Sequence, residues 1–231
     1  MIELLTVIGI MLLLFGGIGL AIAGRGGEGA ALANGQSILA SLVGATRAQA
    51  ALHQTTARLI VYAQLPPSGD SNKYLRSLQV VRLETLANGS TGWVAAGNFV
   101  TLPAPICVVP AGQVPRDHLQ LPTGQNWNNN LATGPVTTML TQTGFNYRGQ
   151  SGGTTSQFFG VQGQSGRIHY LEFAPDGTVT ATLPGAPVKI ALATAILRGN
   201  AVPLFNNASG VRGLFVRKSG AVALVDEATG F

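Results

Sequence analysis

Between Leu4 and Ala23 the chain carries no charged side chain over about 20 residues. As a helix rising ~1.5 Å per residue, this run measures about 30 Å, the hydrocarbon thickness of a bilayer. No other feature restricts the chain so strongly, because a run this apolar has no place on the surface of a soluble domain. One acid, Glu3, stands at its head, and the first basic residue, Arg25, comes only after it. A cleaved secretory signal has the reverse order, with basic residues first and a small-residue cleavage site after the run. A plain membrane anchor has no use for a carboxylate at its lip, where desolvation is costly.

The order Ile2-Glu3-Leu4-Leu5-Thr6-Val7-Ile8-Gly9-Ile10, continuing to Ala23, resembles the N-terminal segment of type IV pilins and type II secretion pseudopilins. In that family a prepilin peptidase cuts after a glycine, commonly before Phe-Thr-Leu-Ile-Glu-Leu, and an apolar helix follows. The basic leader, the glycine and the usual first mature residues are absent. The resemblance therefore implies a numbering that begins inside the mature protein, or a late recorded start. It also implies an assembly role for Glu3, whose carboxylate would neutralise the N-terminal amine of a neighbouring subunit. A buried acid that finds its cation only at one axial offset can set register between helices. Gly16, Gly17 and Gly19 are expected to weaken the helix, by roughly 1 kcal/mol each relative to Ala. They mark where it would melt in an assembled filament.

After the break at 24–29, helical spacing returns. Ala30, Ala31, Ile38, Leu39, Leu42, Val43 and Ala45 suit one face, with Gln36, Ser41, Arg47 and Gln49 mostly elsewhere. The expected organisation is residues 1–27 as a hydrophobic transmembrane and assembly helix and 28–55 as the amphipathic second half of the stalk. Residues 56–231 form a β-rich head with a Gly/Asn-rich insertion at about 111–166. Strands are expected in 57–64, 73–86, the region around Trp93 to Val109, 167–183, 188–197 and a hairpin over 211–227 turning at Lys218-Ser219-Gly220. A short helix is expected near Val136 to Gln142. The fold class is thus α+β: a long N-terminal helical stalk, half transmembrane and half packed on the head, before a mostly antiparallel pilin-like sheet.

The head adds a second resemblance, to H-type pseudopilins and related minor pilins. It rests on Ala57-Arg58-Leu59-Ile60-Val61-Tyr62, Tyr74-Leu75-Arg76, Gly92-Trp93, Leu102-Pro103 and Phe173-Ala174-Pro175-Asp176-Gly177. Together the two resemblances imply a structural filament subunit. It would wait in a bacterial inner membrane, be processed by a prepilin peptidase, and polymerise on an assembly platform into a periplasmic or extracellular helical filament. Its partners would be copies of itself and other pilin-like subunits. The alternative is a minor subunit at the tip or priming complex that binds DNA or another anion.

Composition fits a non-enzymatic reading. Only 10% of residues are charged and glycine occurs 31 times, yet 46% of the chain is apolar, too much for disorder. The net charge of +5 comes from scattered basic residues, with Arg217-Lys218 adjacent. Arg212, Arg217 and Lys218 on the final hairpin are the candidates for an anionic ligand. One cysteine, Cys107, excludes an internal disulfide and reads as a small buried hydrophobe. His53, His118 and His169 lack metal-type spacing, Arg116-Asp117-His118 reads as a surface turn, and Asp226-Glu227 alone is a weak calcium signal. Trp93 reads as core or interface. No nucleophile elbow, P-loop or dinucleotide fingerprint occurs. No cofactor, metal or catalytic residue is expected.

Overall fold

A computed structural model describes residues 27–64, 72–85, 89–110, 137–146, 165–180, 186–196, 204–205 and 210–231, together with helical backbone for 2–26. Among the described residues one α-helix, α1 (Ile2–His53), precedes twelve strands, and a 3-10 turn (Ala228–Gly230) follows them. These are β1 (Ala57–Tyr62), β2 (Ser77–Thr85), β3 (Thr91–Ala95), β4 (Val100–Thr101), β5 (Ile106–Val108), β6 (Leu140–Asn146), β7 (Ser165–Phe173), β8 (Val179–Thr180), β9 (Val188–Ile196), β10 (Leu204–Phe205), β11 (Val211–Val216) and β12 (Val222–Val225).

The strands form two antiparallel sheets. The first has the order β3-β2-β1-β7-β6, with β4 also on β2 and β8 also on β7. The second has the order β10-β9-β11-β12, with β5 also on β9. The main core lies between α1 and one face of each sheet. Leu32, Leu39, Val43 and Ala50 meet Leu59, Val61, Leu78, Val80 and Phe173 of the first sheet. They also meet Ile190, Leu192, Leu214 and Val216 of the second. The far faces are buried as well. Ile60, Tyr62, Val81, Phe145 and Ile168 form a cluster behind the first sheet. Tyr74, Leu75, Cys107, Phe205 and the alanines of β9 form another behind the second.

A left-handed residue stops α1. Gln54 has φ 48°, and Thr55 N–H donates back to Ala50 O at 3.2 Å. This is the six-to-one bond of a Schellman stop. The chain then enters β1, whose two long neighbours, β2 and β7, fix its register through Leu59 opposite Val80 and Leu171.

The expected fold class is corrected. The described protein is mostly antiparallel β-sheet with one helix, whose described side chains, residues 27–53, pack on it rather than form a stalk carrying a separate head. The physical reason is that the buried face of α1 runs from Leu32 to Ala50 as part of the main core. Among the described residues no helix is long and apolar enough to cross a membrane. The segment Leu4–Ala23, on which the transmembrane expectation rests, lies outside the side chains described.

Other expectations also shift. The strand expected from Lys73 begins at Ser77, because Leu75 sits in a left-handed turn with φ 54°. The helix expected near Val136 to Gln142 is not present over its described part. Leu140–Asn146 is instead a strand on β7, with a bulge between Gln142 and Phe145 that Gly144 allows at φ 73°. Part of the insertion at 111–166 therefore completes the first sheet.

Candidate assembly surface

α1 presents two faces from Gly27 onward. The inner one follows steps of four and three: Leu32, Gln36, Leu39, Val43, Thr46 and Ala50, all buried. Two of these are polar and both are satisfied. Thr46 Oγ1 donates to Leu42 O one turn back at 2.7 Å. Gln36 Nε2 donates to Gly213 O at 2.9 Å and Val225 O at 3.0 Å, tying α1 to β11 and β12. The helix sits close at this point. A Cβ on Gly35 would meet Ile106 Cγ2 at 3.3 Å. A Cβ on Gly213 would run into the Ile190 carbonyl oxygen and lie 2.7 Å from the Phe231 ring.

The outer face is built from short side chains. Ala30, Asn34, Ser37, Ser41, Gly44, Ala45, Ala48 and Ala51 are exposed, and a Cβ on Gly44 would touch nothing within 4 Å. Leu52, at 76% exposed, closes the face at the C-terminal end. From Gly27 to Leu52 the only charged side chains are Glu28 and Arg47. A helical surface of short uncharged side chains lets another helix approach closely at little desolvation cost.

Arg47 crosses the end of this surface and touches two hairpin turns. A Cβ on Gly220 would lie 2.7 Å from Arg47 Cδ, and one on Gly177 would lie 3.4 Å from Arg47 Cγ. Both glycines have φ 77°. The turns come from different sheets and are joined by Val179 N–H donating to Lys218 O at 2.8 Å. Asp176 in the first turn accepts from Thr178 N at 2.9 Å and Thr178 Oγ1 at 2.7 Å, and these bonds hold its carboxyl below the usual range.

The nominated ligand residues are only partly brought together. Arg217 and Lys218 are exposed in the 217–220 turn, next to Arg47. Arg212 lies toward the opposite end of β11, about 17 Å away at ~3.4 Å per residue, and pairs with Asp226 at 3.7 Å. Glu3, Gly16, Gly17 and Gly19 fall on residues whose side chains lie outside those described. Arg116, Asp117 and His118 lie outside the described residues too.

Two further titratable side chains are buried in the fold. His169 is buried and its Nδ1 lies 2.9 Å from Thr141 Oγ1. Burial, aided by the nearby Arg167 charge, holds its pKa down at about 4. Burial pushes the Cys107 thiol up to about 12, so it stays protonated. His53 borders Arg82, which pairs with Glu84 and donates to Gln49 Oε1 at 3.1 Å. Among the described residues no group of three or more His, Cys, Asp or Glu side chains is placed to hold a metal ion.

Sequence reasoning missed one polar cluster. Arg58 lies between the Trp93 and Tyr170 rings, 4.1 and 4.0 Å from their centroids. It donates to Glu172 at 2.7 Å and Gln142 at 2.8 Å. With both faces and its edge engaged, the guanidinium braces the first sheet rather than offering a site. The alternation of β1 puts Arg58 and Ile60 on one face of the sheet. The partners come from β3, β6 and β7, which no local pattern could assign.

Comparison with known proteins adds no relative: no family model, no curated protein and no solved structure matches this chain.

Proposed function

We propose that this chain is a structural subunit of a type IV pilus-like or pseudopilus filament, held in the inner membrane before assembly and polymerised through its N-terminal segment. The observation that carries the reading is the acid-then-apolar order from Ile2 to Ile10. A carboxylate entering a packed helical core is stable only with a cation beside it, so Glu3 favours one docking offset and penalises the others. The short-residue outer face of α1 supports the same reading, because it suits close packing against a neighbouring helix.

Electron cryo-microscopy of the full chain, expressed with its export system, tests this. The expected result is a helical filament whose core is built from segments beginning near Ile2, with Glu3 enclosed. Glu3→Ala is expected to leave subunit abundance unchanged and to abolish filaments. Filaments of normal abundance from that variant would remove the role given to Glu3. Isolated subunits alone from the native chain would defeat the filament reading.

The exposed cations Arg217 and Lys218 favour a second reading, a minor subunit that captures DNA or another polyanion. Binding would then weaken steeply with salt and drop when both are neutralised. Binding untouched by that double substitution would exclude it.

A further inference from the structure

Among the described residues nothing pairs with the outer edge of β12. Arg217 N–H donates to Ala221 O at 2.9 Å, which makes 217 and 221 a hydrogen-bonded pair. Such pairs alternate with non-bonded ones along an antiparallel ladder. In the observed register the other bonded pairs are therefore Phe215–Ala223 and Gly213–Val225. The backbone N–H and C=O groups of Val222 and Leu224 then point away from β11. Among the described residues β12 pairs with β11 alone.

Edge strands usually carry a charge, a proline or a bulge that discourages a second strand. Val222–Val225 carries no charge and no proline. Leu224 is 60% exposed. With Phe215 and Val225 it lines an open depression of about 400 Å³ that ends on Asp226 and Glu227. Charge of opposite sign brackets the strand, with exposed Arg217 and Lys218 before it and exposed Asp226 and Glu227 after it.

We propose that this edge docks a second copy of the chain, β12 against β12, antiparallel across a two-fold axis. The backbone selects the register. Outward-pointing groups must meet outward-pointing groups, and the register that pairs both outward residues of each strand with those of the other has Val222 facing the other copy's Leu224, Leu224 facing its Val222, and Ala223 facing Ala223 on the axis. Exposed Leu224 is then covered. Asp226 and Glu227 lie beside the other copy's 217–220 turn, from which Arg217 and Lys218 project. Parallel pairing would bring like-charged ends together. The contact goes beyond the filament reading and does not depend on it. A two-fold contact cannot repeat inside one polar helix, so it joins two copies before assembly or copies in adjacent filaments running oppositely.

The test is oxidative cross-linking of the detergent-solubilised full chain carrying Ala223→Cys. Cys107, the only native cysteine, is buried. At the axis Ala223 forms a non-bonded pair with Cα atoms about 4.5 Å apart, within disulfide reach. Ala223→Cys is expected to give covalent dimer in high yield, and Leu224→Cys, which faces a valine, several-fold less. Glu227→Lys should lower the Ala223→Cys yield several-fold, and adding Lys218→Glu should restore it. Equal yields from the two cysteine variants, or a yield indifferent to Glu227→Lys, would overturn the proposal.

Discussion

At the scale of single residues, two buried polar side chains make opposite demands. His169 is neutral in the fold because burial disfavours its cation, which holds its pKa near 4 against an ordinary 6.5. Between these values the unfolded chain binds a proton that the folded chain refuses. Stability is therefore complete above about pH 6.5 and falls as pH drops toward 4, by on the order of 3 kcal/mol in total. Urea midpoints measured across that window should slope downward toward acid in the native chain and flatten in His169→Gln. Gln36 contributes instead through its two bonds to strand carbonyls. Gln36→Ala should lose about 2–4 kcal/mol, from the bonds and the space left behind. Ser37→Ala, one position round on the exposed face, should stay within ~0.5 kcal/mol. Chemical unfolding of the three proteins side by side checks both figures.

At the scale of elements, the sequence pattern locates most strands and misjudges one helical face. Leu39 and Val43 fall where the pattern puts them, since strong hydrophobes at helical spacing have few alternatives. Ala30 and Ala45 are exposed although the pattern turns them inward, and Gln36 is buried although the pattern turns it out. Hydrophobicity ranks alanine above glutamine, but a glutamine with two carbonyl acceptors is a good core residue and an alanine costs little in water. β6 reads as a short helix in sequence because Thr137 to Gln142 has no clean alternation. Its strand character comes from pairing with β7, a tertiary effect. The hairpin of β11 and β12 is legible from its turn. The sequence does not show that a strand's length separates Arg212 from Arg217 and Lys218, and Arg47 reaches the turn only through packing. The helix stop makes a further prediction. Gln54 bears a steric penalty at φ 48° that glycine does not. Gln54→Gly should raise stability by about 0.5–1 kcal/mol, read as a shift in the thermal midpoint.

At the scale of the whole molecule, the outer face of α1 is the surface whose chemistry fits the proposed assembly. Ala48→Arg would place a long cation on that face without touching the core. The expected result is a subunit of normal stability that no longer enters filaments, counted by electron microscopy against the native chain. Filaments at native abundance would show that this face lies outside the packed interior. The inward face would be unaffected in either case, because its partners are strands of the same chain.

The tie made by Gln36 also has a consequence in time. Its two acceptors lie 177 and 189 residues further along the chain. A ribosome delivers α1 well before β11 and β12, so the seat of the helix is unfinished until those strands have been made. A chain released before Gly213 lacks β12 and both carbonyls, leaving Leu32, Leu39 and Val43 without much of their cover. These two strands therefore act as a check on the helix, and a chaperone or protease that recognises bare apolar helix can tell a chain that carries them from one that does not.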